Sequence, residues 1–218
     1  MKTQCVVIAL SILTVSVPAT ATIISGNVTG GTAQTAGGTF VKLTIPLSNL
    51  FGPPNSVGND NFQSPNLFGF DEDQNILLAS PLTVDVGTSP IAAGTTVASH
   101  YIFFDPGPSQ HIIGTVNFDS DILAIITSTG TLADSDFLAR TGVNYLNPAA
   151  RGLEPGDSVT ISGSRQILFD TFASSPGDYV RVLTAFSPAA GVPEPGSVGL
   201  LGSGLGLLLM MVGRKRLC

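Results

Sequence analysis

Cysteine is missing from the whole central part of this chain. The two cysteines, Cys5 and Cys218, stand near the ends of the sequence, and none occurs from Thr22 to Gly191. That stretch therefore cannot be cross-linked by disulfides and has to be stabilised by a core of its own. The same absence excludes a cysteine nucleophile and a thiolate metal site. Its 170 residues are enough for one domain with a substantial core.

Positive charge is also scarce between Thr22 and Gly191. Five basic residues stand against fourteen acidic ones, which gives a net charge of −9 with both histidines neutral. Such a surface repels the phosphate backbone of nucleic acids, and no basic cluster offsets the repulsion. The composition therefore argues against a nucleic-acid partner.

Residues that commonly build binding and catalytic sites are few. Tryptophan is absent and there are three tyrosines, so stacking platforms for sugars are not favoured, although hydrogen bonds and calcium can also hold sugars. The only histidines, His100 and His111, have no cysteine or glutamate pattern near them that would predict a zinc site. No G-x-S-x-G turn occurs, so a Ser-His-Asp hydrolase stays possible only in principle.

The first 21 residues have the pattern of a secretory signal peptide. Lys2 gives a short positive region, residues 6–17 form an apolar core, and Ala19-Thr20-Ala21 is an A-x-A cleavage signal. We expect cleavage after Ala21, so that the mature chain begins at Thr22.

The C-terminal end has the pattern of a membrane anchor. Residues 196–213 form an 18-residue apolar stretch, which as a helix would be roughly 27 Å long. That length is just enough for a hydrocarbon core of about 30 Å, so we expect one transmembrane helix. Arg214, Lys215 and Arg216 follow it. Cationic residues beside a span resist translocation, which places residues 214–218 in the cytoplasm as a basic stop.

A proline-rich motif precedes the apolar stretch. It reads Val192-Pro193-Glu194-Pro195. The two prolines fix their own φ angles and remove two backbone donors, which holds the segment extended outside the helix. Extended backbone is the form that proteases bind.

Motif, hydrophobic helix and basic end, paired with an N-terminal signal peptide, closely resemble the PEP-CTERM sorting signal of Gram-negative bacteria. The match covers about an eighth of the chain, and only Leu217 and Cys218 extend past the basic cluster. The resemblance implies an exosortase as partner, a membrane-embedded cysteine protease or transpeptidase that processes the chain near the motif. It implies export through the inner membrane, a transient membrane anchor and final release to the cell surface, often in bacteria that make exopolysaccharide.

The segment between the two signals reads as mostly strand, and we expect an all-β body with an antiparallel sandwich or jelly-roll arrangement. Apolar residues alternate with polar ones or form β-branched and aromatic runs. Proline and glycine turns separate the runs. The predicted strands lie at 41–47, 82–86, 97–104, 112–118, 122–127, 159–162, 166–172 and 179–186.

Two parts of the body depart from the strand pattern. Leu132 to Arg140 is predicted to be a helix with Asp134 or Ser135 as its N-cap. Gly52 to Asn75 has no regular period and reads as a long loop.

Acidic residues suggest one metal site. Asp71 opens a run that resembles a calcium loop, but Ile76 replaces the turn glycine and Leu82 the bidentate glutamate, so an EF-hand is rejected. A looser calcium site could combine Asp71 and Asp73 of this run with Asp60, with Asn61 or with the pair Asp119 and Asp121. The last two could share a ligand sphere, because alternate strand residues point to one face. Acidic turn residues that serve solubility are the competing interpretation, and no other cofactor is predicted.

These observations divide the chain into a signal peptide (1–21), a body (22–187), a linker with the motif (188–195), a transmembrane helix (196–213) and a basic tail (214–218). The hypothesis that fits them best is a non-enzymatic exported surface or matrix protein. The alternative is a calcium- or carbohydrate-binding module associated with exopolysaccharide. A secreted hydrolase ranks third.

Overall fold

Strands make up most of the described chain. The structure is a computed structural model and describes residues 21–186. The elements are β1 (Ile23–Gly30), α1 (Gly31–Thr35), β2 (Phe40–Lys42), β3 (Ser56–Val57), β4 (Leu67–Asp71), β5 (Ile76–Leu77), β6 (Val86–Gly87), β7 (Thr96–Phe104), β8 (Gln110–Phe118), β9 (Ile122–Ile126), α2 (Thr129–Asp134), the 3-10 helix η1 (Asp136–Leu138), β10 (Asn144–Tyr145), β11 (Ser158–Gly163), β12 (Gln166–Ala173) and β13 (Asp178–Ala185). The prediction of an all-β body is confirmed.

The strands form two main sheets. The small sheet has the order β1-β8-β12-β11, and all its neighbours are antiparallel. The large sheet has the order β2-β4-β7-β13-β9-β6, with β5 also paired to β7. It is mixed rather than wholly antiparallel, because β2 and β4 run parallel. β3 and β10 make a separate short parallel pair.

The large sheet is buried on both faces, which explains why β7 and β13 are almost continuously buried. One face shares a core with the small sheet, in which Ile102 and Val182 cluster with Val116 and Phe169. The other face is covered by loops and by α2. Its core residues include Phe103, Tyr179 and Leu183, with Leu47, Phe62 and Leu132 from the covering segments. Successive residues of a central strand therefore enter two different cores.

The predicted strands from Val97 onward are found close to their predicted positions. The two earlier ones are wrong over most of their length, because 41–47 is a strand only at Phe40–Lys42 and 82–86 only at Val86–Gly87, and β1 was not predicted.

Two other expectations also need correction. The predicted loop Gly52–Asn75 contains strand β4, whose Leu67–Phe70 are buried. This strand has no period-two pattern because both of its faces are covered. The predicted helix Leu132–Arg140 is instead α2 followed by η1, and Ser135 caps the end of α2 and the start of η1.

Both ends of the described chain lie on the turn between β8 and β9. At one end, the Asp119 amide donates to the carbonyl of Thr22 over 3.1 Å. At the other, the Ala185 amide donates to the carbonyl of Asp121 over 2.8 Å, and the Ser120 hydroxyl donates to the carbonyl of Ala185 over 2.8 Å. The body therefore begins and finishes at one pole of the two-sheet stack.

The terminal predictions concern residues outside the described range. The signal peptide with Ala19, the motif at 192–195, the apolar stretch at 196–213 and the basic stop at 214–216 all lie outside residues 21–186. Within that range, no helix has the length and apolar character needed to cross a membrane.

Candidate functional site

Two of the four acids proposed for calcium meet at the start of the body. Asp71 is the last residue of β4, and Asp119 follows β8. The backbone nitrogen of Thr22 donates to Asp119 Oδ1 over 2.8 Å, and the Thr22 hydroxyl donates to Asp71 Oδ2 over 2.8 Å. The amide of Ile23 also donates to Asp71 Oδ1, over 2.9 Å. The two carboxylates thus bind the first residues of the body.

Two basic side chains complete this arrangement, which we call the Thr22 cluster (Thr22, Lys42, Asp71, His100 and Asp119). Lys42 Nζ lies 2.7 Å from Asp71 Oδ2 and also donates to the Thr22 hydroxyl and to the carbonyl of Ile23. His100 Nδ1 lies 2.8 Å from Asp71 Oδ1. Burial alone would raise the pKa of Asp71, but the hydrogen bond and charge of His100 and the bonds from Lys42 and Ile23 hold it well below its usual range.

Asp71, His100 and Thr184 have the connectivity of a catalytic triad. His100 Nε2 lies 3.1 Å from the Thr184 hydroxyl, on the opposite side of the ring from Asp71. His100 and Thr184 are fully buried, however, and the imidazole packs 5.0 Å from the ring of Phe118 between the two sheets. No substrate carbonyl can approach this hydroxyl, so the geometry serves packing rather than acyl transfer.

A second polar network lies on the other face of the large sheet. Arg181 donates to both carboxylate oxygens of Glu72, from Nε over 2.7 Å and from Nη2 over 2.9 Å, and both side chains are fully buried. Ser99 and Tyr145 donate their hydroxyls to the same carboxylate, over 2.5 and 2.6 Å. Burial would lower the pKa of Arg181, but the charge and hydrogen bonds of Glu72 hold it above its ordinary value.

This second network also fixes α2 and η1. Arg181 Nη1 donates to the Ser135 hydroxyl over 2.5 Å and to the carbonyl of Leu132 over 3.2 Å. Arg151, which is fully buried, forms a bidentate pair with Asp136 over 3.1 and 2.6 Å. The buried charges therefore join the covering layer to β13.

Three more acids lie at the opposite end of β13. One carboxylate oxygen each of Asp60, Asp105 and Asp178 is buried without a hydrogen-bond partner among the described residues. Burial raises the pKa of Asp105 to about 6, assisted by the nearby charge of Asp60. Burial likewise raises the pKa of Asp178 to about 7, assisted by Asp157 and Glu154. Asp105 and Asp178 therefore keep a proton to a higher pH than an exposed carboxyl does.

The other two proposed calcium ligands lie apart from the Thr22 cluster and from each other. Asp73 accepts from the amide and the hydroxyl of Thr141, over 3.2 and 2.9 Å. Asp121 pairs with Arg165 over 2.9 Å on the exposed surface. Between residues 21 and 186, no group of three or more His, Cys, Asp or Glu side chains is placed to hold a metal ion. Ala21 of the predicted cleavage signal is buried beside Thr22.

Sequence reasoning missed Lys42, His100 and Arg181 as members of these networks. The sequence does indicate that Arg181 has a partner, because a charged residue inside a buried apolar run needs an oppositely charged or hydrogen-bonding group from another segment. The identity of that partner depends on strand order, which the sequence pattern does not give.

Comparisons of this chain with protein-family models, with curated proteins and with solved structures found no match in any of the three.

Proposed function

We propose that this protein is an exported surface or extracellular-matrix protein, delivered by its N-terminal signal peptide and its C-terminal PEP-CTERM-type signal. The body is a structural or binding unit rather than an enzyme. It crosses the inner membrane, stays anchored while an exosortase processes the chain near Val192–Pro195, and then reaches the cell surface.

The observation that supports this proposal is the common position of the two ends of the body. Thr22 and Ala185 both bind the turn at 119–121. Both terminal segments therefore start from one pole, and both can reach the same membrane without the body unfolding. Face-to-face packing of the two sheets further supports a sandwich-type body, a durable architecture for an extracellular part.

The test is an intact-mass measurement on protein extracted from the surface of cells that have an exosortase. We expect a mature chain that begins at Thr22 and lacks residues 196–218. A matched variant with Pro193→Ala, Glu194→Ala and Pro195→Ala should keep the C-terminal segment and stay in the membrane fraction. Surface-extracted protein that still contains residues 196–218 would contradict the proposal.

Ligand binding by the body is a separate prediction. Calcium would bind through acidic side chains of the body, and exopolysaccharide through surface hydroxyls and acids. Isothermal titration of the mature chain with calcium, and then with the polysaccharide of the producing cells, tests both. If neither titration releases or absorbs heat, the prediction of ligand binding is contradicted and a structural role of the body remains.

A further inference from the structure

The backbone nitrogen of Thr22 is the atom that signal-peptide cleavage would change. It lies 2.8 Å from Asp119 Oδ1 and already donates to it. While Ala21 is attached, this nitrogen is a neutral amide with one hydrogen. Once the Ala21–Thr22 bond is cut, the same nitrogen becomes an α-ammonium group with three hydrogens and a full positive charge.

We propose that the Thr22 cluster is a binding site for the new N-terminus, in which Asp119 holds the α-ammonium group created by cleavage after Ala21. This inference rests on the export proposed above. In the cleavage step, water adds across the peptide bond, Ala21 keeps the new carboxylate, and the Thr22 nitrogen takes the protons that make it an ammonium ion.

The surroundings of the Thr22 nitrogen favour a positive charge. Asp119 contacts the nitrogen directly, and Asp71 binds the side chain of the same residue and the next amide. A carboxylate that accepts from an ammonium group makes a shorter and stronger bond than one that accepts from an amide. Cleavage therefore converts an ordinary hydrogen bond into an ion pair without moving either group.

Three other side chains that can carry charge lie near the Thr22 nitrogen and affect a positive charge placed there. Lys42 from β2 opposes the new charge, but its ammonium group already pairs with Asp71. His100 from β7 uses one ring nitrogen toward Asp71 and the other toward the Thr184 hydroxyl. Asp121 on the same turn favours the new charge and is partly offset by Arg165.

The burial of Ala21 indicates that cleavage after Ala21 comes before β1 pairs with β8. Ala21 is 1 % exposed, so a protease cannot reach the Ala21–Thr22 bond in the closed body. The bond has to be cut while the chain is still extended, and the ammonium group then takes its place as β1 pairs with β8. Because the turn that binds Thr22 also binds Ala185, N-terminal processing stabilises the turn from which the sorting tail starts.

The first measurement is the pKa of the Thr22 α-amino group in the full chain processed by the host, residues 22–218, purified in detergent. Labelling threonine with ¹³C at Cα allows its titration to be followed by NMR. The usual pKa of such a group is about 7.7–8.0, and we expect it to rise by about one unit. Asp119→Asn should return it to the usual range.

The matched control is a chain that begins one residue earlier, at Ala21, and keeps every side chain of the cluster. Its α-amino group lies one residue away from the nitrogen that Asp119 binds, so it should not show the raised pKa, and its melting temperature at pH 7 should lie about 2–4 °C below that of the chain beginning at Thr22. This control needs no substitution in the body, so it remains decisive if Asp119→Asn fails to fold.

Two results separate this inference from the export proposal. N-terminal sequencing that finds a start other than Thr22 would overturn the cleavage on which both depend. A chain that does start at Thr22, but has an ordinary α-amino pKa and the same melting temperature as the control, would overturn the binding site alone.

Discussion

Two neighbouring residues at the end of β4, its last residue Asp71 and the following Glu72, serve different networks in this protein. Asp71 faces the core between the sheets and binds Thr22, Lys42 and His100, whereas Glu72 faces the outer layer and binds Arg181. The separation follows from the period of two along a strand. An acidic run that resembles a single metal loop in sequence is therefore divided between two cores.

Removal of the cation from the buried Glu72–Arg181 pair should lower the stability of the protein strongly. Arg181→Met leaves a buried carboxylate without its cation, so we expect a loss of about 3–5 kcal/mol in the free energy of unfolding. The matched control is Arg165→Met, because Arg165 pairs with Asp121 at the exposed surface and should cost about 0–1 kcal/mol. Urea unfolding measures both. Equal costs for the two variants would contradict a buried, unscreened pair.

The pairing of individual side chains was the feature least predictable from the sequence. Arg181 could be identified as a charge that needs a partner, because it interrupts an apolar run. Its pairing with Glu72 depends on both side chains pointing to the same face of the large sheet, from strands that do not neighbour each other. Strand order is a property of the tertiary fold, so no local pattern could supply it.

The short helices depend on contacts from outside their own sequence. Asp85, in the segment before β6, accepts from the amides of Thr127 and Ser128 over 2.7 and 2.8 Å and from the Thr131 hydroxyl over 2.6 Å. These bonds fix the chain where it enters α2. Sequence analysis placed the helix start several residues too late because this acid comes from a distant segment.

We therefore expect Asp85→Ala to loosen α2. Loss of these charge-assisted bonds at an exposed site should cost about 1–2 kcal/mol. Hydrogen exchange at the amides of Leu132 and Ser135, which bond back to Ser128 and Thr131, should become faster. The control is Asp134→Ala at the end of the same helix, expected within about 0.5 kcal/mol of the parent. Unchanged exchange in the Asp85 variant would refute the anchoring.

The connection after α1 depends on a close backbone approach. A Cβ atom on Gly38 would stand 2.2 Å from the carbonyl oxygen of Pro65 and 2.8 Å from that of Ala33. We expect Gly38→Ala to cost about 1–3 kcal/mol by forcing backbone to move. Gly130→Ala, in α2 with open space around it, should stabilise by about 0.5–1 kcal/mol. Thermal unfolding compares them, and a neutral Gly38 variant would disprove the close approach.

The strands from β7 onward were largely predictable, whereas β1 was not predicted and β4 was missed for a physical reason. β7, β8, β12 and β13 are long enough for their β-branched and aromatic residues to be distinctive. β4 is short, follows a segment rich in Asn, Pro and Gly, and is buried on both faces, so it shows no alternation. The outer layer of loops that buries it could not be foreseen from the strand pattern.

The whole molecule should be most stable at mildly acidic pH. The pKa of Asp71 is lowered in the fold, so its contribution is present above about pH 4 and is lost as the pH falls further. The pKa values of Asp105 and Asp178 are raised to about 6 and about 7, so their contributions are complete below about pH 4 and are lost as the pH rises through those values. Stability therefore reaches its maximum at about pH 4 and declines from there to about pH 7.

Melting temperatures from pH 3 to 9 measure this curve. Asp178→Asn should remove much of the decline between about pH 4 and 7 and leave the curve below pH 4 unchanged, because an amide cannot ionise. Asp121→Asn, at an exposed pair, is the matched control and should keep the parent's profile. A curve that is flat or rising from about pH 4 to 7 in the parent protein would show that Asp105 and Asp178 ionise freely.

The position of β13 has a mechanical consequence. This strand lies between β7 and β9, with eight register pairs to the first and four to the second, and its end leads directly toward the C-terminal tail. Tension applied through that tail loads the strand along its own axis, so the bonds on both sides resist together instead of opening one at a time. A body held at a surface by this end would meet fluid drag with its strongest strand in shear.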